Sequence, residues 1–276
     1  MVAIFYIIRY FETIIMTAPF ACALIFFIDW QHDRAILHQQ AIAITRNLET
    51  DSERIRAVND WVYHNQGFGK NKRFFLASAL GPTPVQILES GGDCADKSRL
   101  VAAMLNELDI EAGLIMISPC EHCAPIHTVV EARYENGRMV VDPVWDIDYP
   151  AADGGYLGVR DLAGTKFGRE RLITLQAQRG ATDKIAAMPA TEATFDYAAA
   201  MNWNKNAATA AVAMGFRSLG YAPETMFRPR FLEDPKLALT LICVFIGIAA
   251  IVARLVLRTG GDIARTLLRK PVRLDA

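Results

Sequence analysis

The chain has 276 residues, 52% of them hydrophobic and 21% charged, with 29 basic and 30 acidic side chains. That length suits one ordinary domain plus further segments, and a formal net charge of −1 without a basic–aromatic patch speaks against a nucleic-acid partner. Five cysteines are too few for a disulfide scaffold, and two stretches account for the hydrophobic excess.

The first apolar stretch runs from Thr13 to Ile28, with a start as early as Ile4. Arg9 and Glu12 interrupt it three residues apart, where they can pair on one helical face, and Pro19 can kink it. Ala21-Cys22-Ala23 loosely suggests a small-residue cleavage site, but Leu24 to Ile28 stay apolar beyond it. An uncleaved anchor is therefore expected over a cleaved leader or a lipid-modified Cys22. A helix leading out of the membrane is expected between Asp29 and Leu48.

Thr50-Asp51-Ser52-Glu53 reads as a capping box, with Ile55, Val58, Trp61 and Val62 on one face of the helix behind it, ending near Gln66-Gly67. A loop with Gly69, Gly81, Pro82 and Pro84 follows, then a short helical turn over Val85–Leu88. Asp93 is a good cap for a helix whose buried stripe is Leu100, Val101, Met104, Leu105 and Leu108. Ala112–Ile117 reads as a buried strand, and Thr128–Tyr134 and Met139–Val144 as two strands joined at Asn136-Gly137. This order predicts an α+β plan rather than a doubly wound one. Beyond Tyr149 periodicity fades, to return as helical character over Phe195–Leu219, and Arg228–Lys236 with its two prolines reads as a stiff connector.

The second apolar stretch, Leu237–Ala253, carries no charge and continues past Arg254 to Leu257, long enough to cross the roughly 30 Å hydrocarbon layer. Arg254, Arg258, Arg265, Arg269, Lys270 and Arg273 follow it, which places the tail in the cytoplasm. Two spans put both termini there and the intervening residues outside. The expected divisions are an anchor at 1–29, a core at 30–150, an outer extension at 151–236, a second span at 237–257 and a basic tail at 258–276.

The chemistry concentrates in Gly92-Asp93-Cys94-Ala95-Asp96-Lys97-Ser98, His127 and Asp142-Pro143. A thiol at a helix N-terminus meets free backbone N–H groups and the positive end of the helix dipole, which favour a thiolate and can face an oxyanion. A histidine at a strand start can take the thiol proton, and a carboxylate on the next strand can fix its tautomer. A strict two-residue turn at Asn136-Gly137 sets Asp146 opposite His127 and Asp142 opposite Glu131, all on one face. Register therefore favours Asp146 as the orienting carboxylate.

Gly92–Ser98 with the following amphipathic helix and strand resembles the core of the transglutaminase-like superfamily. His127-Thr128-Val129-Val130-Glu131 is similar to that family's histidine strand, and Val141-Asp142-Pro143 to its aspartate strand. The resemblance spans roughly Asp51 to Tyr149. It implies a papain-like fold, with Cys94 as nucleophile, His127 as base and Asp142, through twist or a bulge, as orienter. Such enzymes add a side-chain donor to the oxyanion site, for which Gln86 and Trp61 are the candidates.

Cys120-Glu121-His122-Cys123 is an unusual insertion. Outside the cytoplasm the two cysteines can be free or close a small disulfide, and a zinc site through His122 lacks a second ligand pair. No metal or cofactor is expected. The leading expectation is a bacterial inner-membrane enzyme whose periplasmic domain forms a thioester and resolves it with water or an amine, acting on envelope peptides or proteins. The rival is a non-catalytic docking module in an envelope or polysaccharide-export assembly.

Overall fold

The computed structural model describes residues 2–120, 123–179, 189, 193–203, 207–221, 223 and 228–268. Glu121, His122, Arg269, Lys270 and Arg273, all invoked above, lie outside the described residues. The chain divides into two compact units, Met1–Gln31 with Lys236–Ala276, and His32–Pro235.

The first unit is made of two helices, α1 (Val2–Thr45), to which it contributes the part up to Gln31, and α8 (Pro235–Leu268). Both are long and apolar enough to cross a membrane by length and composition. α1 runs through Pro19, and α8 continues past Leu257. Within the unit Arg254 pairs with Glu12 at 3.2 Å and Lys236 with Asp29 at 2.9 Å. Asp29 lies 17 residues after Glu12 and Arg254 lies 18 after Lys236, so the two ion pairs are separated by about 26 Å of helix. Between them Phe20 packs where Gly247 has no side chain. The pairing of low numbers with high ones makes the helices antiparallel.

The second unit is built on a five-stranded sheet of order β4-β3-β2-β1-β5. Its strands are β1 (Ala112–Ile117), β2 (His127–Tyr134), β3 (Gly137–Asp142), β4 (Ile147–Asp148) and β5 (Ala198–Ala199), all antiparallel to their neighbours. The α+β plan is as the residue pattern predicts. Alternation along the strands sends Leu114, Val130, Ala132, Met139 and Val141 to one core and Ile115, Ile117, Val129, Val140 and Ile147 to the other.

The first core is closed by α2 (Asp51–His64), α3 (Pro84–Ser90) and α4 (Cys94–Asn106). α2 begins at the capping box foreseen above: Thr50 Oγ1 accepts from Glu53 N and Glu53 Oε2 from Thr50 N. α4 buries Leu100, Val101, Met104 and Leu105, with Leu108 partly covered beyond its end, and each full burial contributes roughly 1.5–3 kcal/mol. The second core is covered by α5 (Val159–Leu162) and α6 (Phe167–Arg179), with Tyr149 packed edge-on against Phe195. α6 falls where the sequence shows no clear period. The stretch read as helical from Phe195 instead supplies edge strand β5, and only α7 (Ala207–Ser218) is helical among its described residues.

The hairpin register differs from the expectation. Tyr134 pairs with Gly137, so the turn is Glu135-Asn136 rather than Asn136-Gly137. This slips the pairing by two residues and sets Asp142 opposite Val129. A slip of two keeps every side chain on its own face, so hydrophobic alternation cannot distinguish the two registers. β3 also ends at Asp142 rather than Val144, because residues 143–146 turn the chain into β4.

Candidate active site

The approach to Cys94 is built from backbone. Gly91 ends α3 with φ +73°, a left-handed conformation open to glycine, and any Cβ there would collide with the carbonyl of Gly67. Gly92 then bridges in parallel to Phe68, its carbonyl accepting from Gly69 N at 3.2 Å. Asp93 caps α4, its Oδ1 accepting from Asp96 N at 3.1 Å. Cys94 is thus the first residue of the helix, a half-buried free thiol whose own N–H is one of the donors that helix geometry leaves without an intrahelical partner.

His127 is the first residue of β2 and Asp142 the last of β3. Strands that run antiparallel bring those two ends together. Asp142 Oδ2 lies 2.6 Å from His127 Nε2, while Oδ1 accepts from Val144 N at 2.8 Å. His127 is 2% exposed and Asp142 fully buried. His127 is also in hydrogen-bonding contact with Cys94; with Nε2 engaged by Asp142, Nδ1 is the nitrogen left to serve the thiol. Burial opposes a charge on His127, but the Asp142 charge and hydrogen bond, and then Cys94, push its pKa up to about 10. The structure brings together the sulfur, the imidazole and the carboxylate of the family pattern.

Asp146 goes elsewhere. It sits in the turn after β3 with φ +50° and accepts from Asn59 Nδ2 of α2 at 3.1 Å. There it lines a cavity of about 420 Å³ with Arg56, Asp148 and Arg171. The register that favoured it is not formed. Gln86 lies at the third position of α3, where its Oε1 accepts from Thr83 N at 2.9 Å in a second capping box. Trp61 packs partly buried against the first core.

Two features escape a reading of the local pattern. Lys97, one turn after Cys94, is 3% exposed, and its ammonium donates to the carbonyls of Val62 at 2.6 Å, Asn65 at 3.1 Å and Tyr63 at 3.4 Å. It joins α4 to the C-terminal, electron-rich end of α2. Its place inside the Gly92–Ser98 motif was the available signal. Tyr149 is fully buried, and its hydroxyl has no hydrogen-bond partner among the described residues. Burial, with the charge of Asp142, drives that phenol well above its ordinary value. Cys120 and Cys123 form a disulfide inside the loop between β1 and β2, which closes with Ile126 N donating to Ile117 O at 2.9 Å. Among the described residues no cluster of His, Cys, Asp or Glu is arranged to hold a metal ion.

Comparison with known proteins identifies a family over part of the chain. Residues 38–143 match the core model of the transglutaminase-like superfamily. Among solved structures, the chain is similar to a provisional cysteine protease from Cytophaga hutchinsonii, with 22% identity and a TM-score of 0.33, covering 40% of this chain and 37% of that one. It is also similar to a provisional protease from Parabacteroides distasonis, with 14% identity and a TM-score of 0.31, covering 46% of this chain and 30% of the other. The chain thus spans about a third of the length of each, and both likenesses are low and local. No curated protein matches the chain. The stretch that holds Cys94, His127 and Asp142 is a transglutaminase-like superfamily domain.

Proposed function

We propose that this protein is a membrane-tethered, thiol-dependent acyl-transfer enzyme with a papain-like arrangement of Cys94, His127 and Asp142. The observation that carries the reading is the buried 2.6 Å His127–Asp142 contact with Cys94 at the same imidazole. In the proposed reaction the raised basicity of His127 lets it take the thiol proton before attack, and the Cys94 thiolate of the resulting thiolate–imidazolium pair adds to an amide or ester carbonyl. The oxyanion of the tetrahedral intermediate faces the N–H groups of the first turn of α4. As the intermediate collapses the imidazolium gives its proton to the leaving amine or alcohol, and a thioester remains on Cys94. Water, deprotonated by His127, then attacks the thioester and releases the acid and the thiol. An amine in place of water gives cross-linking; hydrolysis is preferred because water needs no acceptor site. Asp142 stays ionised and holds the ring.

The anchor belongs to the same proposal. α1 and α8 act as two spans, both termini are cytoplasmic and the domain faces the periplasm of a bacterial inner membrane. Peptides or proteins of the envelope are the substrates. The Cys120–Cys123 disulfide supports that placement, because such bonds persist outside the reducing cytoplasm.

Alkylation of the full-length protein by iodoacetamide tests the reading. Cys94 should react at least about tenfold faster than glutathione at neutral pH, and His127→Ala should abolish the advantage. Equal rates for Cys94 and glutathione would remove the enzymatic reading.

A further inference from the structure

Four charged side chains of alternating sign run from the segment that enters α8 to the first turn of the nucleophile helix. Arg228 Nε lies 2.7 Å from Glu233 Oε1, Arg99 Nε lies 3.6 Å from Glu233 Oε2, and Arg99 Nη1 lies 2.9 Å from Asp96 Oδ1. None of the four side chains is more than 22% exposed. The inner end of this ladder lies in the turn that carries Cys94. Asp96 follows Cys94 by two residues, and its side chain occupies the space that a Cβ on Gly92 would need. The outer end lies beside a single 3-10 turn, Arg230–Leu232, just before Pro235 begins α8.

The ladder is a poor device for stability alone. Removing four charges from water is costly, and a well-packed apolar cluster of the same volume commonly serves as well or better. Its outer contact is also imperfect: the guanidinium of Arg228 lies close to Glu233 without an aligned Nε hydrogen bond, whereas Arg99 bonds to the same carboxylate. Burial raises the carboxyl of Glu233 against both guanidiniums, and burial with the neighbouring Asp93 raises that of Asp96 against Arg99. What charges of alternating sign provide, and an apolar cluster does not, is a fixed relation between two particular elements. The elements joined here are residues 228–234 and the turn that presents the sulfur.

We propose that Glu233 is a positioning residue for Cys94: through Arg99 and Asp96 it ties the segment preceding α8 to the first turn of α4, so that the reactivity of Cys94 depends on this segment being docked. The proposal rests on the reading of Cys94 as nucleophile. It also goes beyond that reading, since it makes the active site responsive to whatever displaces the juxtamembrane segment.

The test uses the full-length protein in detergent, with E233Q and the milder R228Q. The rate of Cys94 alkylation by iodoacetamide is followed by mass spectrometry from about pH 5 to about pH 9, beside the thermal midpoint. In E233Q the Cys94 rate should fall by about tenfold or more with a displaced pH profile, read at a temperature where the variant is fully folded. R228Q should shift both in the same direction by less. If both variants fold and their Cys94 rates and pH profiles superimpose on the wild type, the proposal is overturned; if E233Q does not fold, R228Q decides by the same criterion. A wild-type Cys94 no faster than glutathione counts against the nucleophile reading instead. Amide exchange over residues 95–98 then decides the tie, faster exchange in the variants supporting it and unchanged exchange overturning it.

Discussion

His127 Nε2 and Asp142 Oδ2 lie 2.6 Å apart although the two residues are 15 positions apart, because one opens β2 and the other closes β3 at the same end of the sheet. The two are not opposite in the register: the β2–β3 pairing runs from Tyr134 and Gly137 to Val130 and Val141, which puts Asp142 level with Val129 rather than with His127. The contact is a diagonal one across neighbouring strands, within reach of two side chains of this length.

The raised pKa of His127 makes a prediction about pH. A histidine whose folded pKa is about 10 against an ordinary value of 6.5 favours the folded state fully below about pH 6.5, and loses that contribution as pH climbs through about 10. Wild-type stability to urea should therefore decline from near neutral pH into the alkaline range. In Asp142→Asn the charge is gone and burial dominates, so the ring should titrate below its ordinary value and the alkaline decline should vanish. Proton NMR of the ring and urea unfolding at several pH values measure both. If His127 acts as the proposed base, Cys94 alkylation in Asp142→Asn should slow by about 10²-fold or more, since the buried carboxylate that holds the ring is lost.

Lys97→Met should destabilise the domain by about 3 kcal/mol, because three carbonyls that the ammonium now serves are left in a buried setting and a charge at the end of α2 is lost. Lys97→Arg should not fully restore the protein, since a planar fork does not match three carbonyls gathered around a point charge. Urea unfolding midpoints at constant slope check this.

Tyr149→Phe should be neutral or stabilising by up to about 1 kcal/mol, an uncommon result for a side chain buried in a core. The ring and its edge-on packing against Phe195 are kept, while a hydroxyl with no partner among the described residues is removed. A loss greater than about 1 kcal/mol in calorimetry or urea unfolding would show that the hydroxyl serves Asp142.

The antiparallel pairing of α1 and α8 predicts a cross-link. Phe20 lies against Gly247, which sets Cys22 level with Cys243, and both are free thiols. Copper-phenanthroline oxidation of membranes should join them, so that a chain cut within residues 151–236 stays one species on a non-reducing gel. Cys22→Ser should release the two fragments. Failure to cross-link, with both thiols still free, would refute this register of the pair and with it the retention of α1 as a partner of α8.

Much of the second unit was legible because its signals are local. The Thr50–Glu53 box, the Asp93 cap, the stripe of α4 and the alternation of β1 to β3 each lie within a few residues of what they specify. The Thr83–Gln86 box belonged to the same class, and would have shown Gln86 as a helix-capping residue at once. Choosing between Asp142 and Asp146 was harder, since both stand on the same parity and only the turn at Glu135-Asn136 separates the registers. The ladder from Asp96 to Glu233 was out of reach, because its members lie more than a hundred residues apart and nothing near either end announces the other. β5 was hidden for a similar reason: a two-residue strand is defined by its partner β1, not by its own alanines.

The hairpin of β2 and β3 has two unlike ends. Its turn, Glu135-Asn136, is a strand's length away from the imidazole, whereas the loop that carries the disulfide runs straight into it and residues 143–146 leave directly from the carboxylate. Extra residues grafted at Glu135-Asn136, such as an epitope tag, need displace none of Cys94, His127 and Asp142. Grafts of the same size at the opposite tips would pull on His127 or on Asp142, so that added length is tolerated at one pole of the sheet and very little of it at the other.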